Sequence, residues 1–396
     1  KQQVAKCVDL NLCATTAWMA GSMAFDADSC RPCTLRLHLF TIVFLGGLPF
    51  ICCLLLPAPL TSALSWLAVL TLPRLLWPQS SAASGPRFVA GLALYWNLVY
   101  VTCFASPLII AYCCYMSRRI FLPAVVFYVL WARILSRTEL RSGSPWPTFA
   151  QQEWGYHAFR KFLHLRVHVS EALRSRPAQQ PVILAVHPHG VASDFRILMD
   201  GLLYAALPGR EVLTLSASVL FCIPLVRELA LWTRCIDARR QVAARALEHG
   251  HSLMVIPGGE LEQIRTTKGR EEVCLSTRLG FVRLALQANV ALVPCYAFGC
   301  VDLYDTYSVL RAPREWLRKK FGVCIPLYRG LIGVLPKRLP VNVVLGQPIE
   351  PVCAAPGCPT DEEIVAAHGA YINALRQLFN EHKAQFGYEH RELEVV

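Results

Sequence analysis

Residues 182–194 read VILAVHPHGVASD, and the fold turns on how they divide. Val182–Val186 is a short apolar run of the kind that forms a strand buried on both faces. Pro188 and Gly190 punctuate its end. Phe195–Leu207 then carries apolar residues in a helical pattern. A buried strand that passes through a tight loop into an apolar helix opens an α/β unit. The loop also holds two imidazoles, which is more than a turn requires.

Further along, Val212–Ser216, Ser252–Ile256, Ala291–Ala297 and Val341–Leu345 read as additional strands. Helices are expected at Arg239–Glu248, Ser276–Gln287 and Asp361–Gln385. Gly250 is placed to cap the first of these, and Thr360 with Glu363 has capping-box spacing at the start of the last. No internal repeat is evident. Strands alternating with helices predict an α/β domain over residues 181–396, with its sheet mostly covered.

Upstream the composition changes. Of 396 residues, 54% are hydrophobic and 17% charged, which argues against a purely soluble globule. Leu37–Pro57, Leu60–Trp77 and Phe88–Met116 approach or exceed the roughly 20 residues of a bilayer span. Ile120–Ile134 is shorter, and Arg118 and Arg119 before it resist translocation, so three and four spans both remain open. The organisation expected is a tail at 1–36, a membrane anchor at 37–135 and a basic linker at 136–180. From Arg118 to Arg176 there are ten Lys/Arg and three Asp/Glu, as on the cytosolic flank of an anchor. A net charge of +12 suits anionic lipid or an anionic small ligand. Nucleic acid is the weakest partner, because no nucleic-acid motif accompanies the charge. Many of the 17 cysteines lie in apolar runs and act as small hydrophobes. Cys30 and Cys33 have zinc-like spacing without a second pair, so no metal is expected.

In an open α/β sheet, ligands bind where strands end. Val182–Val186 delivers His187, His189 and Gly190 to that place, and Asp194 follows five residues after His189. If Asp194 folds back, a carboxylate on one ring nitrogen raises the basicity of the other. The second nitrogen then accepts a proton from an alcohol, a role worth roughly 10²–10⁴ in rate. A polar turn with Asp194 as a mere cap is the plainer reading. A second strand end carries Gly258, Gly259 and Glu262, where glycine N–H groups can face an oxyanion. Arg239, Arg240, Arg265, Lys268 and Arg278 are candidates for binding phosphates. The basic stretch Arg311–Lys320, with Trp316 and Leu317, can also rest on anionic lipid. No Gly-x-Ser-x-Gly elbow, Walker loop, Gly-x-Gly-x-x-Gly or His-Glu-x-x-His occurs.

These features, in order along the chain, resemble the type-2 family of diacylglycerol acyltransferases, which includes monoacylglycerol and wax-alcohol relatives. The resemblance is carried by His187–Gly190, Pro224–Glu228, Ile236–Arg239, Gly258-Gly259 with Glu262, Arg278–Val282, Leu292–Pro294 with Phe298-Gly299, and Asn342–Ile349. His368, Tyr371, Leu378-Phe379, His382-Lys383 and Phe386-Gly387 continue it. It implies a membrane-anchored acyltransferase domain of α/β class behind N-terminal transmembrane helices. It further implies transfer of a fatty acyl group from acyl-CoA, a co-substrate, to diacylglycerol, with His187 or His189 as base and no separate cofactor. Backbone N–H groups near Gly190 or Gly258-Gly259 would hold the oxyanion. The implied location is the endoplasmic reticulum membrane, multi-pass and cytosol-facing, or a lipid droplet. Monoacylglycerol, a long-chain alcohol and a lysophospholipid are alternative acceptors, and a homo-oligomer is left open. A transporter or scaffold fits less well, because the apolar runs stop before the candidate polar site begins.

Two departures stand out. An upstream Tyr-Phe-Pro is absent, and residues 157–164 read HAFRKFLH. After His189 the sequence gives Val191-Ala192-Ser193-Asp194, a His-x4-Asp spacing seen in acyltransferases that act on glycerol phosphate.

Overall fold

The computed structural model describes residues 23–26, 85–152, 154–321, 324–355 and 357–396. Cys30, Cys33 and the apolar stretches Leu37–Pro57 and Leu60–Trp77 lie outside the described residues. In chain order the helices are α1 (Pro86–Met116), α2 (Arg118–Leu130), α3 (Pro147–Gln152), α4 (Trp154–Phe162), α5 (Glu171–Ser175), α6 (Asp194–Ala206), α7 (Val226–Trp232), α8 (Arg240–Glu248), α9 (Gly259–Arg265), α10 (Gly280–Ala288), α11 (Arg311–Phe321) and α12 (Asp361–Lys383). The strands are β1 (Met23–Phe25), β2 (Arg166–Val169), β3 (Val182–His187), β4 (Val212–Ser216), β5 (Cys235–Asp237), β6 (Ser252–Val255), β7 (Glu271–Val273), β8 (Ala291–Phe298), β9 (Asp305–Thr306), β10 (Tyr328–Arg329), β11 (Asn342–Leu345) and β12 (Leu393–Val395).

Eight strands form one sheet in the order β1-β2-β11-β8-β3-β6-β4-β5. From β8 to β5 every neighbour is parallel, with β3 paired to β8 on one side and to β6 on the other. Parallel pairing requires crossover connections, and the intervening helices supply them. The two-residue period of β3 then assigns each side chain to a layer. Leu184 and Val186 face the core formed with α1, α4 and α6, through Leu92, Phe159 and Leu198. Ile183 and Ala185 face the core formed with α8, α10 and α12, through Val242, Val282 and Leu375. The sheet is thus covered on both faces, as its all-apolar strands require. Helix α12 starts with the expected capping box: Thr360 accepts from the Glu363 N–H, and Glu363 accepts from the Thr360 N–H. Such a cap stabilises the helix by about 1 kcal/mol.

Three boundaries differ from the sequence reading, the first being the expected tail at 1–36, which contains β1, antiparallel to β2 in the main sheet. The expected linker at 136–180 contains β2, which joins the sheet in parallel with β11. The first half of α1 is packed in the protein core rather than exposed, with Trp96 stacked on Phe159 at 4.2 Å. Apolar composition alone does not separate a helix buried in protein from one buried in lipid. Beyond Phe104 the same helix turns outward, and Leu108 is 74% exposed. The halves Pro86–Tyr100 and Cys103–Met116 are bent by 56°. Pro107 has no N–H for the Cys103 carbonyl, and the Ser106 hydroxyl reaches that carbonyl instead, at 2.8 Å. Among the described residues, Phe121–Leu140 alone is long and apolar enough to cross a membrane, or two spans qualify if the bent pair counts as one. Its end is fastened to the domain by buried Arg227, which donates to Glu139 at 3.1 Å and to Glu228 at 2.9 Å.

Candidate functional site

His187 is the last residue of β3, and its parity with Ile183 and Ala185 puts its ring on the α12 face. There Tyr371 of α12 donates its single proton to the Ala185 carbonyl at 3.0 Å. A carbonyl only accepts, so His187 Nε2 is the donor to the Tyr371 oxygen, 3.1 Å away. The ring is fully buried, and Nδ1 lies 3.9 Å from Glu262 Oε1, beyond hydrogen-bonding distance. Phe281 packs edge-on against Tyr371 at 5.0 Å and closes this side.

His189 is held differently. Its backbone N–H goes to Glu262 Oε2 at 2.7 Å rather than to a neighbouring strand. Its ring is half-buried, and Nδ1 lies 3.0 Å from the Gly190 carbonyl and 3.0 Å from Ser193 Oγ. The carbonyl again fixes the tautomer: Nδ1 carries the hydrogen and Nε2 keeps its lone pair. Burial pushes the ring's pKa below its ordinary 6.5, against opposing contributions from the Gly190 carbonyl and Glu262. A neutral imidazole with one free lone pair is therefore the resting form at neutral pH. Ser193 Oγ sits 3.2 Å from Nε2 and donates to the His189 carbonyl at 2.9 Å.

Helix α9 braces this loop from the second strand end. Besides the His189 N–H, the Glu262 carboxylate accepts the Cys274 N–H at 2.7 Å, and Gln263 donates to the Val191 carbonyl at 2.8 Å. Burial raises the Glu262 pKa, but the two backbone N–H donors, both at 2.7 Å, outweigh it and hold the carboxyl below its ordinary range. Glycine at 258 is a packing requirement, since a Cβ there would lie 1.9 Å from the Glu262 carboxyl carbon. The Gly259 N–H is committed to the Ile256 carbonyl at 3.1 Å, which removes it from the expected oxyanion donors. Gly190 has φ +65°, and a Cβ there would meet Cys300 Sγ at 2.4 Å.

Asp194 does not fold back onto His189. Ser193 adopts the left-handed conformation, φ +52°, and α6 begins only at Asp194. The carboxylate is thereby turned to Tyr304, which donates to it at 2.6 Å. Burial pushes the Asp194 pKa up to about 6, partly offset by the Tyr304 hydroxyl. Spacing alone brought Asp194 within reach of the ring, but it carried no information about the φ of Ser193.

The basic candidates divide into groups. Arg239 lies against Asp237 at 3.5 Å, and Arg240 donates to Gln287 at 2.5 Å, both beside the edge strand β5. Arg265 faces Glu272 and Glu315 at 3.9 and 3.6 Å, and Lys268 faces Asp305 at 3.1 Å. Arg278 has no side-chain partner among the described residues. A cavity of about 930 Å³ opens at the other end of β3, between Arg176, Leu247, Leu284 and Glu350, away from the histidines. Ser193, Gln263 and Tyr304 received no catalytic or bracing role from sequence. The cap reading attaches to Asp194, while the Ser193 hydroxyl contacts His189. Tyr371 enters the sequence reading only through the family resemblance; in the structure it lies on the buried face of α12 with Ile364, Leu375 and Phe379.

Fold and site together define a doubly covered α/β protein with a histidine-centred site at the carboxyl ends of its parallel strands. The chain belongs to the diacylglycerol acyltransferase family, whose model matches residues 113–396. It is 35% identical over 233 residues to "Diacylglycerol O-acyltransferase 1" of Eremothecium gossypii, covering 54% of this chain and 50% of that protein. It is 32% identical over 234 residues to "Acyl-CoA wax alcohol acyltransferase 2" of Homo sapiens, covering 54% of this chain and 69% of that protein. The chain thus spans about half the length of the fungal relative. Among solved structures it is similar to the 1-acyl-sn-glycerophosphate (LPA) acyltransferase PlsC of Thermotoga maritima at 16% identity. That match has a TM-score of 0.38 and covers 74% of this chain and 96% of that one, a likeness too distant to build on.

Proposed function

We propose that this chain transfers a fatty acyl group from acyl-CoA to the free hydroxyl of diacylglycerol, giving triacylglycerol, with His189 as general base. The observation that carries the reading is the partly buried His189 ring, with Nδ1–H fixed on the Gly190 carbonyl and the Nε2 lone pair free. Nε2 takes the acceptor's proton as its oxygen attacks the thioester carbonyl. The tetrahedral oxyanion is met by the Gly190 N–H, which has no partner among the described residues. Collapse breaks the C–S bond, and the imidazolium returns its proton to the coenzyme A thiolate. His187, Tyr371 and Glu262 hold the loop in register and do not touch the reacting atoms. Arg265, Lys268 and Arg278 are the basic residues we assign to the coenzyme phosphates.

For location we propose the endoplasmic reticulum membrane, with the sheet on the cytosolic side. The exposed apolar faces of α1 and α2 support a membrane-seated hairpin, as does Leu135 at 77% exposure. A long-chain alcohol is the second acceptor to consider, because the human relative is named for wax alcohol and the same base would serve it. The test uses microsomes from a host lacking neutral-lipid synthesis, given labelled acyl-CoA and either diacylglycerol, monoacylglycerol, a long-chain alcohol or a lysophospholipid. Triacylglycerol should form with the native chain and not with His189→Ala. Activity surviving in the variant overturns the base, and preference for another acceptor overturns the substrate.

A further inference from the structure

We propose that the segment from Tyr307 to Lys320 is a second membrane-contact surface, which seats its apolar tip in an anionic phospholipid leaflet. The segment is rigid and yet turned outward. Buried Arg314 donates to the carbonyls of Tyr307 at 2.9 Å, Val309 at 3.2 Å, Leu310 at 3.3 Å and Ile325 at 3.2 Å. A buried guanidinium bonded through all three of its nitrogens thus shapes the loop before α11, while Val309 stays 62% exposed and Leu310 66%. Trp316, one turn into α11, is 54% exposed. Apolar tips held out by a built loop mark a surface made for contact.

Charge selects the occupant. Arg318 and Lys319 have no ion-pair partner among the described residues, and Lys320 Nζ stands 5.0 Å from the Trp316 ring. Glu315, the acidic residue of α11, faces Arg265 instead. Aliphatic tips on the loop, with a tryptophan and the cations Arg318 and Lys319 on the helix that follows, match an anionic leaflet. An acidic peptide would need the cations but not the aliphatic tips.

The segment is also tied to the core-packed half of α1. Strand β9 enters the segment and β10 leaves it, and the next loop is clamped by Asn97 of α1, which donates to the Ile332 carbonyl at 2.9 Å and accepts the Val334 N–H at 3.0 Å. Leu331 and Ile332 are themselves exposed there. Helix α11 packs on α9, so the surface lies one helix away from the Glu262–His189 contact.

The test places the full chain in phosphatidylcholine nanodiscs, with or without phosphatidylserine, doped with a phospholipid carrying a diazirine in its tail. Photolabelling is mapped by peptide mass spectrometry. Labels should fall on 307–317 as well as on 118–135 and should increase with phosphatidylserine. Val309→Asp/Leu310→Asp should remove the first set and leave the second. Lys319→Glu/Lys320→Glu should weaken it by roughly fivefold per charge. All four side chains are exposed, so folding is preserved. Labels confined to 118–135 overturn the proposal. So do labels indifferent to phosphatidylserine and charge reversal, and chain-to-chain crosslinks at 307–317, which would indicate a second copy.

Discussion

His187 and His189 stand two residues apart on one loop, and their rings live in opposite surroundings. The first closes a strand, lies under α12 and spends its Nε2–H on Tyr371. The second has left the sheet, because Glu262 rather than a strand neighbour takes its N–H, and the residue is only partly buried. The period of β3 governs His187 and no longer governs His189. A strand end can therefore supply both a fixed brace and an accessible base from one short motif, provided a second element captures the backbone between them. Here that element is α9.

The largest expected effect breaks this comparison directly. His189→Ala should lower kcat by about 10²–10⁴ and leave thermal stability in detergent unchanged. His187→Ala should do the reverse, costing about 2–4 kcal/mol of stability through the cavity under α12. Because burial holds the His189 pKa below 6.5, the acid limb of kcat/KM should lie below that pH, with the neutral, active form dominant above it. An exchange of the two signatures between the variants would mean that the roles are exchanged.

How much of this was readable beforehand follows the physics. Strands β3, β4, β6, β8 and β11 are apolar runs that must be buried, so burial pattern found them. Strand β5 is three residues long and β2 carries Arg166 and His168, and neither offers a periodic signal. At the site, residue type flagged His187, His189 and Glu262. The division of labour between them depends on tertiary contacts, above all Tyr371, which is 184 residues from His187. The direction of Asp194 depends on one backbone angle at Ser193 that a serine does not advertise.

Glu262→Gln sharpens the comparison by loosening the element that separates the two rings. The carboxylate accepts two backbone N–H groups, and an amide offers one oxygen and a donor that faces the other N–H. A loss of about 1.5–3 kcal/mol per affected bond is expected in denaturant unfolding, together with a fall in kcat. The Glu262 carboxyl is held below its ordinary 4.5 in the folded chain. Its contribution is therefore full above that pH and lost as pH falls through the lowered folded value, so acid unfolding should shift upward in the variant.

Asp194 titrates in the opposite sense. Its folded carboxyl, at about 6, keeps its proton more tightly than the ordinary 3.8. Stability from this group is full below 3.8 and is lost as pH rises toward 6, with a penalty of at most roughly 3 kcal/mol above that. Asn at 194 still accepts from Tyr304 and cannot ionise. Asp194→Asn should raise the Tm at pH 7 to 8 and leave it unchanged at pH 4. Turnover should change far less than in His189→Ala, since no hydrogen bond joins Asp194 to that ring; a hundredfold loss would show that the carboxylate acts on the base after all.

The smallest effect concerns Ser193, a positioning residue on the accessible side of the comparison. Its Oγ lies 3.0 Å from His189 Nδ1 and donates to the His189 carbonyl at 2.9 Å, so it fixes both ring and loop. Without it, Nδ1–H still reaches the Gly190 carbonyl at 3.0 Å and the tautomer survives. The loss in Ser193→Ala should therefore be about 1 kcal/mol, or roughly fivefold in kcat, with KM for acyl-CoA unchanged. The left-handed φ of +52° offers a second variant that separates backbone from hydroxyl. Ser193→Gly adopts that angle without strain and lacks the same oxygen. If the hydroxyl positions the base, Gly and Ala fall together; if the hydroxyl plays no part, Ala, which carries the same Cβ at that angle, matches the native chain, and Gly does so with equal or greater stability.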